Sequence, residues 1–192
     1  MKKILVVAAL MLSSVSTFAQ HAVGSFNLQP KVGVSIANLT EVKGSDSRVG
    51  VVAGVEGEYQ ASDIFSVSAG VLYSMQGTKG NIGNFIDATN RLDYINVPIM
   101  ANVYVVKGLA VKLGVQPGFN VSNKLKVNNL DAFDNPVVKA QSVDVAIPVG
   151  LSYEYNNFQL DARYNWGVSK AFKLTDAKNS VFQITLGYKF DL

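Results

Sequence analysis

SYEYNNFQLDARYNWG, residues 152–167, alternates almost without a break. Tyr153, Tyr155, Phe158, Leu160, Ala162, Tyr164 and Trp166 fall on one side of the alternation, and Ser152, Glu154, Gln159, Asp161, Arg163, Asn165 and Gly167 on the other. A period of two is the signature of a β-strand with unlike faces, and Asn156-Asn157 in the middle suits a two-residue turn, since Asn tolerates positive φ. The stretch is therefore a hairpin with one apolar and one polar face. A soluble barrel and a membrane barrel share this pattern turned inside out, so the fold is decided by which face meets water.

The chain has 192 residues, enough for one domain with a sizeable core. Lys2 and Lys3, an apolar run from Ile4 to Leu12 and the small residues ending in Thr17-Phe18-Ala19 read as a signal peptide over residues 1–19, with cleavage after Ala19. The apolar run is shorter than the roughly 20 residues a spanning helix needs. Residues 20–192 then form the mature domain. Without Lys2 and Lys3 the formal net charge falls from +3 to +1, which leaves no electrostatic footprint for nucleic acid. The sequence has no cysteine, which excludes a small disulfide-stapled module. Any membrane contact of the mature chain has to be made by strands.

Eight alternating runs follow the leader: Leu28 to Asn38, Arg48 to Gln60, Phe65 to Gln76, Leu92 to Val106, Ala110 to Ser122, Val143 to Tyr155, Phe158 to Ser169 and Ser180 to Phe190. Three connections are tight, at Ala61-Ser62-Asp63, Lys107-Gly108-Leu109 and Asn156-Asn157. Four are long and polar, over 39–47, 77–91, 123–142 and 170–179. Short turns at one end and long loops at the other predict an outer-membrane barrel with its turns in the periplasm. Facing residues across a hairpin share a face, and the pairs Tyr59 with Phe65, Val105 with Val111 and Tyr155 with Phe158 keep apolar beside apolar. Residues 97–124 and 147–170 form a faint hairpin repeat, each with a proline near its start. Pro98 and Pro148 predict bulges, because proline cannot donate to the ladder.

Glycine predicts which face is inside. Gly33, Gly50, Gly54, Gly70, Gly114, Gly118, Gly150, Gly167 and Gly187 lie on the polar face, whereas Gly57 is the clear strand glycine on the apolar one. The lumen of an eight-stranded barrel is barely wide enough for the side chains that fill it, so the polar face is the inside. Aromatics agree. Tyr59, Phe65, Tyr153, Tyr155, Phe158, Tyr188 and Phe190 gather near the tight turns, Tyr73, Phe119, Trp166 and Phe182 near the long loops, with aliphatic residues between them. Two aromatic girdles around an aliphatic band match the two interfaces of a bilayer.

The signal peptide followed by Gln20, the strand LDYINVPIM, the hairpin VGLSYEYNNFQLDARYNWG and the closing FQITLGYKF together resemble the small outer membrane protein beta-barrel domain family of the Bacteroidetes, which is porin-like and PorT-like. The resemblance covers nearly all the mature chain. It implies an all-β, eight-stranded antiparallel up-and-down transmembrane barrel of the OmpA/OmpX kind. It also implies outer-membrane lipid as surroundings, and either loop-mediated binding or an accessory role in an envelope machine. The alternation of Phe182, Ile184, Leu186, Tyr188 and Phe190 resembles the signal read by the barrel assembly machinery, although Asp191-Leu192 follow where that signal ends on an aromatic residue.

The chemistry is sparse. The single histidine, His21, falls beside the cleavage site and outside the barrel, so histidine-dependent hydrolysis and His or Cys metal centres lack their residues. No catalytic, cofactor or metal residue is expected, and no enzyme activity. The lumen is expected to hold Lys31, Lys112, Arg163 and Lys189 against Glu56, Glu58, Glu154 and Asp161, four bases and four acids. They read as a self-neutralising plug, or else as a gate, a proton path or an acid/base pair of Glu56 with Glu58. In the loops, Phe85 and Phe133 are candidate contact residues. Loop-mediated binding, a narrow diffusion channel and a soluble lipocalin-like ligand carrier stay open on these grounds.

Overall fold

The computed structural model describes residues 21–40, 45–82, 86–127, 130–132, 141–169 and 177–192. The leader, Phe85 and Phe133 lie outside them. Eleven strands form one sheet: β1 (Phe26–Leu39), β2 (Ser45–Ser62), β3 (Phe65–Ile82), β4 (Ile86–Asn96), β5 (Ile99–Val106), β6 (Leu109–Val127), β7 (Leu130–Ala132), β8 (Val143–Tyr155), β9 (Phe158–Gly167), β10 (Asn179–Tyr188) and β11 (Phe190–Asp191). β4 with β5 makes one stave and β10 with β11 another, both lying against their neighbours in unbroken order. With β7 a short addition to β6, eight antiparallel staves remain. Pairing of β10 with β1, from Lys31 opposite Gly187 to Leu39 opposite Asn179, closes them into a barrel. Closure leaves no edge for another chain to pair with.

The tight turns are where the register departs from expectation. Tyr155 does face Phe158, with Asn156 and Asn157 at φ values of 46° and 68°. Tyr59, however, pairs with Val67 rather than Phe65, and Val103 rather than Val105 pairs with Val111. A register shift lies between Gln60 and Ser62 in one hairpin and between Tyr104 and Val106 in the other. Each shift is of one residue, next to the turn, and beyond it the observed pairing lies two residues from the expected one, which preserves the faces. The expected pairs were therefore wrong while the inside and outside were right.

Neither Pro98 nor Pro148 makes a bulge. Asn96 faces Gly118 and Ile99 faces Val115, so the count across Val97-Pro98 is one to one. The ladder simply opens between β4 and β5, and the Val97 N–H donates to the Pro117 carbonyl at 2.8 Å. Pro148 sits in continuous register with Asn165 of β9. On its other side the pairs between Leu113–Val149 and Gln116–Ala146 drop out, which is where its missing N–H would have donated.

The strands also run further than the alternation predicts on the loop side. β3 and β4 pair out to Ile82 opposite Ile86, and β6 turns back on itself through β7, with Lys126 opposite Asp131. Polar composition hid these extensions, since strands outside a bilayer need no apolar face.

Candidate functional site: an ion-paired lumen

Along β6 the exposed side chains include Val111, Leu113, Val115, Phe119 and Val121, and the buried ones Ala110, Lys112 and Gln116. The same inversion holds around the wall. Val32, Val34, Val51, Val71, Leu151, Leu160 and Leu186 point outward, while Ser35, Asn102, Ser152, Asn165 and Gln183 are buried. A water-soluble protein would bury the first set and expose the second. Among the expected girdle residues, Tyr59, Tyr73, Phe119, Tyr153, Tyr155, Phe158, Trp166, Phe182, Tyr188 and Phe190 are exposed and Phe65 is half-buried. At the turn end Phe158 meets Tyr188 edge to face at 5.0 Å, and Tyr188 lies 4.8 Å from Phe190.

The inward glycines have two causes. A Cβ at Gly33, Gly54 or Gly114 would strike the backbone carbonyl of Ile184, Val71 or Ile99 on the neighbouring strand. Close approach of backbones in a tightly coiled wall therefore excludes a side chain at these positions. At Gly187 the obstacles are lumen side chains, Gln29 at 2.8 Å and Lys31 at 3.0 Å. Lumen width, the expected reason, accounts for positions of the second kind only.

Inside, the eight charged residues are buried and joined in two groups. In the first, Lys31 Nζ donates to Glu56 Oε2 at 2.7 Å and to Asp161 Oδ2 at 3.2 Å. Lys112 Nζ donates to the same Asp161 oxygen at 2.7 Å. The Arg163 guanidinium reaches Asp161 through Nε at 3.0 Å and Nη2 at 2.7 Å, and Glu56 Oε1 at 2.9 Å. In the second group Lys189 Nζ sits 2.8 Å from both Glu58 Oε2 and Glu154 Oε2. Ser66 and Tyr104 donate to Glu58 Oε1 at 2.5 and 2.6 Å. Glu56 and Glu58 fall in different groups, each occupied by cations, so they do not form a carboxylate pair. Burial of this many charges is tolerable only because every carboxylate is met by a cation at hydrogen-bond distance.

Two features of the lumen escaped the sequence. First, it is not polar throughout. Val52, Leu72, Leu92 and Met100 occupy inward positions and are fully buried, on the loop side of the charged residues of their own or the adjoining stave. Around them Arg48 lies 3.8 Å from Asp93 and donates to the Gln76 carbonyl, and Asn179 bridges Asp144 (2.9 Å) and Tyr94 (3.4 Å). The sequence signal was an apolar residue on the polar parity, such as Val52 beside Val51 or Leu72 between Val71 and Tyr73.

Second, His21 is not outside the barrel. It is buried at the turn-side mouth, its Nε2 2.8 Å from Glu154 Oε1 and its Nδ1 2.8 Å from Asp191 Oδ1. Both ring nitrogens are engaged by carboxylates, which leaves neither to activate a hydroxyl nucleophile. Among the described residues no group of three or more His, Cys, Asp or Glu side chains is arranged to hold a metal ion.

A closed antiparallel barrel with an aliphatic exterior between aromatic ends and a charged interior is an integral membrane barrel. Residues 18–173 match the family described as outer membrane protein beta-barrel domain, and the chain belongs to that family. Its place is the outer membrane, which sets aside the soluble lipocalin-like carrier. A search of the curated proteins finds no match. Among solved structures it is similar to Neisserial surface protein A, with 17% identity, a TM-score of 0.56, and 86% of this chain and 97% of that one covered. It is also similar to Ail, the attachment invasion locus protein of Yersinia pestis, in a crystal with 16% identity, a TM-score of 0.51, and 88% and 100% coverage. Ail in a phospholipid bilayer nanodisc gives 16% identity, a TM-score of 0.53, and 87% and 99% coverage. At such identities the likeness is one of fold.

Proposed function

We propose that this protein is a plugged, non-enzymatic outer-membrane barrel that works through the surface at its loop end rather than by passing solutes. The observation that carries this reading is the filling of the lumen, ion-paired on the turn side and apolar above. An eight-stranded lumen is narrow to begin with, and a water file through this one would have to cross side chains such as Leu72 and Met100 that are about 1% exposed. The loop end, by contrast, carries the long connections and the strand extensions of β3, β4 and β6, a rigid base for contact residues. A PorT-like accessory role at the periplasmic turn end is the finer alternative that the Bacteroidetes resemblance supports. In this reading the leader is removed after Ala19, and the closing strand through Phe190 engages the barrel assembly machinery.

Planar-bilayer recording of the refolded protein is expected to show no stable conductance at neutral pH. Reproducible open channels, altered when Arg163 or Glu56 is substituted, would replace this reading with the narrow diffusion channel. Photocrosslinking from loop positions in intact cells then identifies the partner, and crosslinks confined to the turn end would favour the accessory role.

A further inference from the structure

His21 is the histidine of a chain that has no other, and it sits where the N-terminal segment folds back across the turn-side mouth. Backbone hydrogen bonds hold that segment as well. The Gly24 N–H donates to the Gln60 carbonyl at 2.7 Å, the Gln60 N–H to the Ser25 carbonyl at 3.0 Å, and the Ser25 N–H closes a turn on Ala22 at 3.0 Å. Gly24 makes the turn at a φ of 87°. The side-chain hold is the imidazole, gripped between Glu154 of β8 and Asp191 of β11. Lys189, between β10 and β11, balances Glu154 from the far side and ties it to Glu58 of β2 and, at 3.3 Å, to the Tyr104 hydroxyl of β5. Asp191 is more than half exposed, so protons reach the site from solvent.

We propose that residues 21–25 are a pH-operated latch on the turn-side mouth, closed by the grip of two carboxylates on the His21 imidazolium. Only the protonated ring can donate from both nitrogens. A neutral ring must turn a lone pair toward one carboxylate. The charge count agrees. Glu154 and Asp191 set two carboxylates against the ring, and a proton on His21 supplies the positive charge between them. The hydrogen bond to Glu154, reinforced by its charge, raises the His21 pKa above its ordinary value near 6.5 against the opposing effect of burial. A raised folded-state pKa means that the contribution is complete below about 6.5 and is lost as pH climbs through the folded value. The latch is therefore shut near pH 6, where the ring is protonated and the carboxylates are ionised, and it loosens as pH rises through the folded value.

The test uses the protein folded in lipid nanodiscs. Nitrogen-15 NMR of the single imidazole is expected to show both nitrogens protonated at pH 6 and a titration midpoint above that of a free histidine. Amide exchange at Gly24 and Ser25, corrected for its intrinsic pH dependence, is expected to rise about tenfold across the same midpoint, as for a segment that opens locally. His21→Ala should exchange at the open rate at every pH. Asp191→Asn, at an exposed rim position where folding is not at stake, should move the midpoint down while keeping the step. A midpoint at or below the ordinary histidine value would overturn the proposal. So would an exchange profile in His21→Ala that follows the unsubstituted protein.

Discussion

Asp161→Ala is expected to destabilise the folded barrel by about 3 to 5 kcal/mol, the cost of leaving buried charge without its partner. Asp161 is wholly buried and is the shared acceptor of three cations, Lys31 at 3.2 Å, Lys112 at 2.7 Å and Arg163 at 2.7 Å. Without it, Glu56 alone faces all three, and it reaches Lys112 only at 3.9 Å. The measurement is a denaturant titration of the barrel in lipid vesicles. Asp161→Asn should cost nearly as much, because the charge rather than the volume is what the cations lose. Adding Lys112→Gln to Asp161→Asn removes one orphaned cation and should recover part of the loss, as expected for residues that share a network. A cost below about 1 kcal/mol, typical of solvated ion pairs, would mean that water reaches the network and that the lumen is not plugged.

Val115→Arg is expected to cost about 2 to 4 kcal/mol, the penalty for a cation near the middle of the bilayer, while Val115→Phe is expected to be close to neutral. Val115 is half exposed on the outer wall, between the aromatic residues of the turn and loop ends. Lipid tails yield to a larger apolar ring, but they cannot solvate a guanidinium. In a soluble barrel turned the other way the position would be core, and Phe would overpack it by about 1 to 3 kcal/mol. Folding titrations into vesicles give both values, and a Phe variant as damaging as the Arg variant would contradict a lipid-facing Val115. The adjacent Gln116 is a poor control for this comparison. It is buried opposite Ala146, so an arginine there would meet a packed interior rather than open water.

How much of this could be read from the residues depends on the range of the interaction that fixes each feature. Strand parity is local. Tyr153, Glu154 and Tyr155 declare their faces without reference to anything distant, and closure then follows from having eight such strands. Bulges near turns are set by the geometry of a few backbone groups, and a displacement of two residues leaves every apolar contact plausible. The pairing of Tyr59 with Phe65 therefore looked as sound as the true pairing with Val67. Pro98 and Pro148 suggest inserted residues because a missing donor has to be accommodated, whereas the ladder accommodates it by opening. His21 lies 133 positions from Glu154, and nothing in its neighbourhood points there. The buried Val52, Leu72 and Met100 were legible in principle, as exceptions to parity, but an alternation is judged by its rule and its exceptions pass as noise.

Because the chain contains no cysteine, single cysteines can be placed along β6 without a background. Nitroxide labels at Val111, Leu113, Val115 and Gln116, in protein folded into vesicles, report access to membrane-soluble oxygen and to a water-soluble nickel chelate. A lipid-facing wall around a plugged lumen predicts high oxygen access at 111, 113 and 115, and low access to both reagents at 116. Nickel access at 116 would show a water-filled lumen, and oxygen access at 116 with protection of 113 and 115 would show that the barrel faces the other way.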